Sequence, residues 1–432
     1  MKSLSEWLAW QETLHPRTID LGLERVRRVA QALGVTRIAA PLVVVGGTNG
    51  KGSCVALLEA IWRAAGHRVG AFTSPHLIDY RERIRIDGRE IGEGQLVRAF
   101  ERIDAARGAA TLTFFEFNTL AALIAFAEAD LDAVVLEVGL GGRLDAVNVV
   151  DPDVSLLVSV GLDHCEWLGA TLDAIGREKA GIFRAGRPAV IGSLPIPQSV
   201  HESARDIGAR LVMPGVDFES SSARDGRWSW RGTQASYDAL PPPALLGRHQ
   251  YDNAAAVLAV IEALQSRLPV QRAAIEAGLR DVELPGRFQR LGADVEWVLD
   301  VAHNPDAARR LGTTLADRPP RGRTIAIAGI LKDKDAPAIV AALEESLRAG
   351  GARAVSEWLA VDLPGPRGGS GSELREIVGR HSDPAWSTAP GVVPACERAA
   401  ASARAGDRVL VFGSFHTVGP ALAWLRAADP PA

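Results

Sequence analysis

Residues 41–53 read Pro41-Leu42-Val43-Val44-Val45-Gly46-Gly47-Thr48-Asn49-Gly50-Lys51-Gly52-Ser53. An apolar run that ends in glycines and passes at once into a helical pattern over 53–65 predicts a strand buried on both faces, a tight turn and a helix N-terminus. Backbone N–H groups at such a junction hold polyphosphate, with Lys51 adding a point charge and Ser53 a hydroxyl for Mg2+. The match to G-x-x-x-x-G-K-[ST] is loose: Val45 fills the first glycine position and Gly52 separates Lys51 from Ser53. The ordinary alternative is a glycine-rich turn without function. The strand before and the helix after it favour ATP, although the loop names no acceptor.

Outward from this junction, short apolar runs over 69–73, 133–138 and 154–160 predict further buried strands, and 95–106, 117–129 and 172–181 predict helices. The alternation predicts an α/β fold, with an N-terminal P-loop-containing, mainly parallel sheet ATPase domain. Residues 195–243 carry Pro, Ser, Arg and Trp in short alternating pieces and predict a peripheral β-hairpin region. Two helices follow over 253–264 and 270–279. After the Pro285-Gly286 turn signal a second α/β pattern begins, with strands over 295–301, 324–328 and 408–412 and helices over 305–316, 336–349 and 418–427. The expected organisation is a ligand-binding domain over 1–283 and a smaller, Rossmann-like C-terminal α/β domain over 284–432. The stretch PGPRGGSGSE at 364–373 predicts a mobile loop inside the second domain.

With 432 residues, 47% hydrophobic and 23% charged, the composition excludes disorder, collagen and a disulfide mini-scaffold. Forty-eight Lys+Arg against 52 Asp+Glu give a formal charge of −4, which offers no global field for nucleic acid or an anionic membrane. Cys54, Cys165 and Cys396 are odd in number and far apart, so each is expected to be a small buried hydrophobe in a reducing compartment. The start, MKSLSEWLAWQETLHPR, carries charges that a signal peptide's apolar core lacks, and no apolar run approaches the roughly 18 residues of a membrane span. The expectation is cytoplasmic.

Open α/β sheets bind ligands at the carboxyl ends of their strands. Glu137 closes one such run, with glycines beyond it, and Asp163-His164 follow another. Carboxylate, imidazole and hydroxyl groups can hold Mg2+, although imidazole is an unusual partner for so hard a cation. Alone, His164 would be an ordinary structural histidine; beside a phosphate loop in one sheet it is a metal candidate. Lys179 alone would be a solvated lysine or a partner of Glu178.

Seven ordered motifs carry a resemblance: GTNGKG (47–52), TSPHL (73–77), LEVGLGGRLD (136–145), GREKAGIF (176–183), LPGRF (284–288), DVAHNP (300–305) and FGSFHT (412–417). Together, from about Leu14 to the last helix, they resemble the dihydrofolate synthase/folylpolyglutamate synthase family within the Mur ligase superfamily. The resemblance implies an ATP-dependent ligase that joins L-glutamate to dihydropteroate or to tetrahydrofolate derivatives through an acyl phosphate. It implies that Thr48, Asn49, Gly50, Lys51 and Gly52 surround the triphosphate and that Ser53 faces a first Mg2+. Ser74, Glu137 and His164 match the ligands of a second metal, and Lys179 matches a lysine that relatives carbamylate with CO2. Asn253 and Asp300 match nucleoside contacts, Arg287 reaches the phosphates and implies a closure step, and His303 lies near the phosphates or the glutamate. Lys51, Lys179, His164 and Arg287 are thus the implied catalytic set.

The segments around Leu14–Val26 and Leu112–Phe117 look like the bifunctional bacterial type. There Ile19, Asp20 and Leu21, with Thr113, Phe114, Phe115 and Glu116, and with Leu144, Asp145 and Ala146, would form a pteridine pocket. Phe115 can stack on a flat ring and Asp145 can accept from its N–H groups, while at least one of Phe114, Phe115 and Phe117 is expected to be plain core. Val147 stands where relatives have threonine, and Gln250-Tyr251-Asp252-Asn253 is a loose version of the segment before the nucleoside asparagine. The alternatives are a folylpolyglutamate synthase without the first activity, or a Mur ligase acting on a peptidoglycan precursor. The second would need an N-terminal domain, and domains usually exceed roughly 50 residues, for which the chain before Gly46 leaves little room. A P-loop switch protein would need the loop but not Ser74, Glu137, His164 and Lys179. Resemblance also implies a monomer.

Overall fold

Leu42–Gly46 (β1) is buried at all five positions, as a strand covered by helices on both faces must be. The computed structural model describes residues 2–222, 226–379 and 386–428. Within them the chain forms two compact units: the first takes the spans ending at His76, Arg81–Ala244 and Gln250–Glu283, the second Leu77–Tyr80, Leu245–His249 and the chain from Leu284.

In the first unit β1 joins Val69–Phe72 (β2), Ile84–Ile86 (β3), Arg89–Glu90 (β4), Ala133–Glu137 (β5), Val154–Leu157 (β6), Pro188–Ile191 (β7) and Arg210–Val212 (β8). The order is β4-β3-β2-β5-β1-β6-β7-β8. All neighbours are parallel except β2 with β3 and β3 with β4. The chain leaves β1 for β2 on one side, returns to β5 beside β1, and crosses to β6 on the other. The carboxyl end of β1 is therefore the crevice where such sheets take ligands. Register places Val45 beside Glu137 and Gly46 beside Leu157.

The expected hairpin region over 195–243 needs correction. It holds the helix Gln198–Ile207 and the edge strand β8 before a three-stranded antiparallel sheet of Glu219–Ser222 (β9), Trp228–Arg231 (β10) and Ser236–Leu240 (β11). Helix QSVHESARDI buries only Ser199, Val200 and Ala204, so few apolar residues mark its inner face. Trp228 and Trp230 form the buried face of the small sheet, and the Trp230 indole donates to Ala255 O at 3.0 Å.

The second unit is a six-stranded sheet of Gln289–Leu291 (β12), Glu296–Asp300 (β13), Thr324–Ala328 (β14), Glu357–Val361 (β15), Trp386–Ala389 (β16) and Arg408–Phe412 (β17), ordered β12-β13-β17-β14-β15-β16. Only β12 is antiparallel to its neighbour. Apolar clusters cover both faces, and the Trp358 and Trp386 rings stack at 4.4 Å. The stretch expected to be loop to residue 373 ends earlier, because helix Gly371–Gly379 begins inside it. The remaining loop is tied down: Arg367 pairs with Asp333 at 2.6 Å and its carbonyl accepts from Lys332 N.

Candidate active site

The turn after β1 is shaped by two glycines at positive φ, Gly47 (148°) and Gly50 (89°). A Cβ on Gly50 would come within 2.8 Å of Val158 Cγ1 and 2.9 Å of Asn253 Oδ1, so both space and conformation demand glycine. Helix Lys51–Ala64 then starts with Gly50 as its cap and no side-chain cap hydrogen bond, the state in which a helix N-terminus accepts an anion.

The loop is latched to the segment after β6. Thr48 N donates to Ser159 O (2.9 Å), Asn49 N to Ser159 Oγ (3.0 Å), and Ser159 Oγ back to Asn49 O (2.9 Å). Thr48 Oγ1 donates to Gly161 O and accepts from Gly161 N. The Thr48 hydroxyl, expected among the phosphate contacts, is thus engaged with the next strand's loop. Lys51 Nζ lies over the turn, donating to Gly47 O (3.0 Å) and Thr48 O (3.3 Å). Ser53 is 3% exposed and accepts from Gln250 Nε2.

Glu137, the last residue of β5, is buried, and its carboxylate accepts from Ser74 N at 3.3 Å. Two of the three expected metal ligands are therefore joined. His164 lies past β6, two strand positions from β5, with φ 51° and Nε2 3.9 Å from Asp163 Oδ1. Among the described residues no three His, Cys, Asp or Glu side chains gather as a metal cage. A set of one hydroxyl, one carboxylate and one imidazole leaves open positions, which suits a cation that keeps water and phosphate ligands. Cys165 is exposed, which corrects its expected burial; Cys54 and Cys396 are buried. It follows His164 on the short turn Cys165–Leu168, too brief to cover a side chain.

Lys179 is not the solvated lysine its sequence context allows. At 4% exposure its ammonium is pushed down to about 7 by burial and by Lys51, against the pull of Asp163 and Asp145. Asp145 is pushed up to about 7 by burial, opposed by amide hydrogen bonds including those from Leu140 N (2.8 Å) and Val147 N (3.0 Å), and by Lys51. Lys51, Asp145, Asp163 and Lys179 thus share one electrostatic neighbourhood. The glycine turn of 141–143 packs on the end of the Lys179 helix: a Cβ on Gly142 would meet the Glu178 and Lys179 carbonyls at 2.8 Å.

The stretches expected to hold a pteridine are brought together. Arg25 pairs with Asp20 and with Glu116 (3.1 Å), linking the half-buried Ile19–Leu21 segment to 113–116. Phe115 lies over Gly139, where a Cβ would meet its ring at 2.6 Å, and 5.9 Å from the Phe72 ring. Gly139 adjoins Leu140, whose amide donates to Asp145 in the turn of Leu144, Asp145 and Ala146. Phe114 and Phe115 are partly exposed, with Arg83 over the Phe114 ring; Phe117 is wholly buried among Trp7, Trp10 and Phe100 and is the core aromatic. Thr113 and Glu116 also form a reciprocal capping box that starts helix Phe114–Glu128.

In the second unit Asp300 closes β13 and accepts from Phe288 N and Ala302 N, both at 2.8 Å. Both its oxygens hold backbone, so it fixes the turn that carries Arg287, whose guanidinium lies 5.2 Å from the Phe415 ring. His303 Nδ1 lies 2.8 Å from Val301 O. Asn253 belongs to the first unit, beside the phosphate loop. Sequence reasoning missed Ser159, Gln250 and Arg25; the i, i+3 spacing of Gln250 and Asn253 on one helix is the only local signal for any of them.

A phosphate-type loop with carboxylate and imidazole at the ends of the two strands that flank it, followed by a second parallel-sheet unit, defines an ATP-dependent ligase of the Mur type. The sequence matches the Mur ligase middle domain over residues 45–261 and the Mur ligase, glutamate ligase domain over 286–415. It is 43% identical over 415 residues to the dihydrofolate synthase/folylpolyglutamate synthase of Escherichia coli strain K12, covering 96% of this chain and 94% of that one. The fold superposes on E. coli FolC in complex with DHPP and ADP with a TM-score of 0.92 at 42% identity, covering 99% and 98% of the two chains. A bifunctional folylpolyglutamate synthase/dihydrofolate synthase with Mn, AMPPNP and L-glutamate bound gives 0.89 at 43% identity, again covering 99% and 98%. The chain belongs to the dihydrofolate synthase/folylpolyglutamate synthase family of Mur ligases.

Proposed function

We propose that this chain joins L-glutamate to the carboxylate of dihydropteroate and to that of tetrahydrofolate derivatives, converting ATP to ADP and phosphate. The observation that carries the reading is the latched phosphate loop with the buried Asp145 and Lys179 and the half-buried Lys51 and Asp163 beside it, in a chain whose relatives bear both activities by name. A carboxylate is a poor electrophile at neutral pH. Transfer of the γ-phosphoryl group to its oxygen makes an acyl phosphate; the glutamate amine then forms the C–N bond, loses a proton, and phosphate leaves.

In this reading the amides of Gly50, Lys51 and Gly52 and the Lys51 ammonium hold the triphosphate, with Thr48 and the Asn49 backbone fixing the loop through Ser159 and Gly161 and the Asn49 side chain beside the phosphates. Ser53 would hold one Mg2+ and Ser74, Glu137 and His164 a second; bound there, the ions would supply neutralisation of charge on the phosphates and the acceptor carboxylate. Asn253, Asp300 and His303 serve the nucleotide and Arg287 its phosphates. Ile19–Leu21, the Thr113–Glu116 turn and Leu144–Ala146 receive the pteridine. The domain over 1–283 thus binds ATP and acceptor and that over 284–432 serves glutamate ligation.

Lys179 takes part as a carbamate. A pKa brought down to about 7 leaves much of the amine neutral at physiological pH, the form whose lone pair adds CO2 with release of one proton. The product would be an anion in the neighbourhood of Lys51, relieving the burial of a cation.

The partners in this reading are small molecules; the chain is a monomer of the cytoplasm, in keeping with three free thiols, and no described helix is long and apolar enough to cross a membrane. Incubation with ATP, glutamate and dihydropteroate labelled with 18O in its carboxylate tests the chemistry. Expected are a product heavier by one glutamyl residue and phosphate carrying the label; unlabelled phosphate would contradict the acyl phosphate.

A further inference from the structure

Gln250 is 2% exposed in the first turn of helix His249–Leu264. Its Nε2 donates to Ser53 Oγ at 3.3 Å, and its Oε1 accepts from Asn253 Nδ2 at 2.9 Å. Ser53 and Asn253 are each 3% exposed, and Asn253 Oδ1 faces the space a Gly50 side chain would fill. One buried amide therefore holds Asn253 three residues away and reaches back 197 residues of sequence to the hydroxyl of the phosphate helix.

The bridge has a fixed sense. Asn253 spends a donor on Gln250, which leaves its oxygen toward the phosphate loop, and Gln250 spends a donor on Ser53. Ser53 Oγ accepts there, so its remaining lone pair and its proton are left for whatever lies before the helix N-terminus. A lone serine hydroxyl would rotate among three staggered positions; this one is oriented by an amide that is itself oriented.

We infer that Gln250 is a positioning residue that sets the direction in which Ser53 presents its oxygen to the metal and ties that direction to Asn253. The inference rests on the proposed ATP and metal reading. Gln250 touches neither ATP nor the metal and acts through Ser53.

The test is binding, not turnover. Mn2+ affinity of the full chain saturated with the β,γ-imido analogue of ATP is measured by electron paramagnetic resonance for the unsubstituted protein, Gln250→Met, which keeps the volume, and Gln250→Ala. Circular dichroism first confirms that each variant is folded. Expected is a rise of about tenfold in the Mn2+ dissociation constant. Affinity for the analogue without metal should change less than about threefold, as for a residue that acts only through a metal ligand. In a Ser53→Ala background the Gln250 substitutions should have no further effect on Mn2+. An unchanged Mn2+ constant, or the same rise in both backgrounds, would overturn the inference alone. Mn2+ binding that does not depend on the analogue in the unsubstituted protein would overturn the inference and the ATP reading together.

Discussion

The two units place a strand, a turn and a helix at corresponding junctions, yet treat the helix N-terminus oppositely. After β1 the helix Lys51–Ala64 begins at a glycine without a side-chain cap, while the Thr48 and Asn49 amides and the Thr48 hydroxyl of the turn before it are drawn sideways to Ser159 and Gly161. After β13 the helix Pro305–Ala316 begins at Asn304, whose side chain accepts from Ala307 N at 2.9 Å, with proline at the first turn. There Asp300 absorbs two more amides. One junction is built to offer its helix end to an anion; the other satisfies its own backbone and offers side chains, Arg287 and His303. The same topology thus yields a backbone cradle or a side-chain platform, according to which residue stands at the cap.

The largest expected effect separates the cradle's charge from its shape. Lys51→Ala keeps the turn but removes the cation, and glutamate-dependent ADP release should fall by about 10³-fold or more. Turnover within tenfold of the unsubstituted level would mean that the backbone alone suffices. Next, Lys179→Ala should lower kcat by roughly 10²-fold with nucleotide affinity little changed, as for a group needed only during the reaction. In the unsubstituted protein 13CO2 should give a carbamate signal in 13C spectra that grows as pH rises through about 7 and is absent from the variant. Full activity of Lys179→Ala would remove the carbamate role.

The same lysine makes a stability prediction. Its folded-state pKa of about 7 lies below the ordinary 10.5, so between those values the unfolded chain binds more protons and stability rises with pH. Asp145, raised from 3.8 to about 7, works the other way: its contribution is present below about 4 and is lost as pH rises to 7. Urea titrations of Lys179→Met should therefore show a flatter dependence between pH 7 and 10; an unchanged slope would assign that dependence to other groups.

Smaller effects test the two caps directly. Gly50→Ala forces a Cβ into a left-handed turn against Val158 and Asn253 and should cost about 1–2 kcal/mol as well as nucleotide affinity. Asn304→Ala should cost about 1 kcal/mol in urea unfolding, with ADP release nearly unaffected. If the second change proved the more damaging to nucleotide binding, the contrast between the junctions would fail.

Much of this is legible in the sequence. Buried parallel strands announce themselves as unbroken apolar runs, so β1, β5 and β6 and the helix after β1 lie where the pattern places them, within a few residues. Strand β15, helix Val392–Ser402 and helix Gly371–Gly379 escaped because a short apolar run or an alanine-rich one carries no period of its own, and GSELREIVG opens with the residues of a loop. At the site, carboxylate and imidazole could be read from their place at strand ends. Ser159, Gln250 and Arg25 could not, since each acts on a partner 110, 197 and 91 residues away. Lys179 sits between: its type and place are in the sequence, but the burial that gives it a neutral amine is a property of packing.

The central claim is that one ATP site serves two acceptors. Glutamate-dependent ADP release measured separately with dihydropteroate and with tetrahydrofolate, with product masses, tests it most directly. Turnover with both, each competing with the other and both lost in Lys51→Ala, is expected. Turnover with tetrahydrofolate alone would contradict the double activity and leave a folate-extending ligase; turnover with neither would contradict the acceptor assignment altogether.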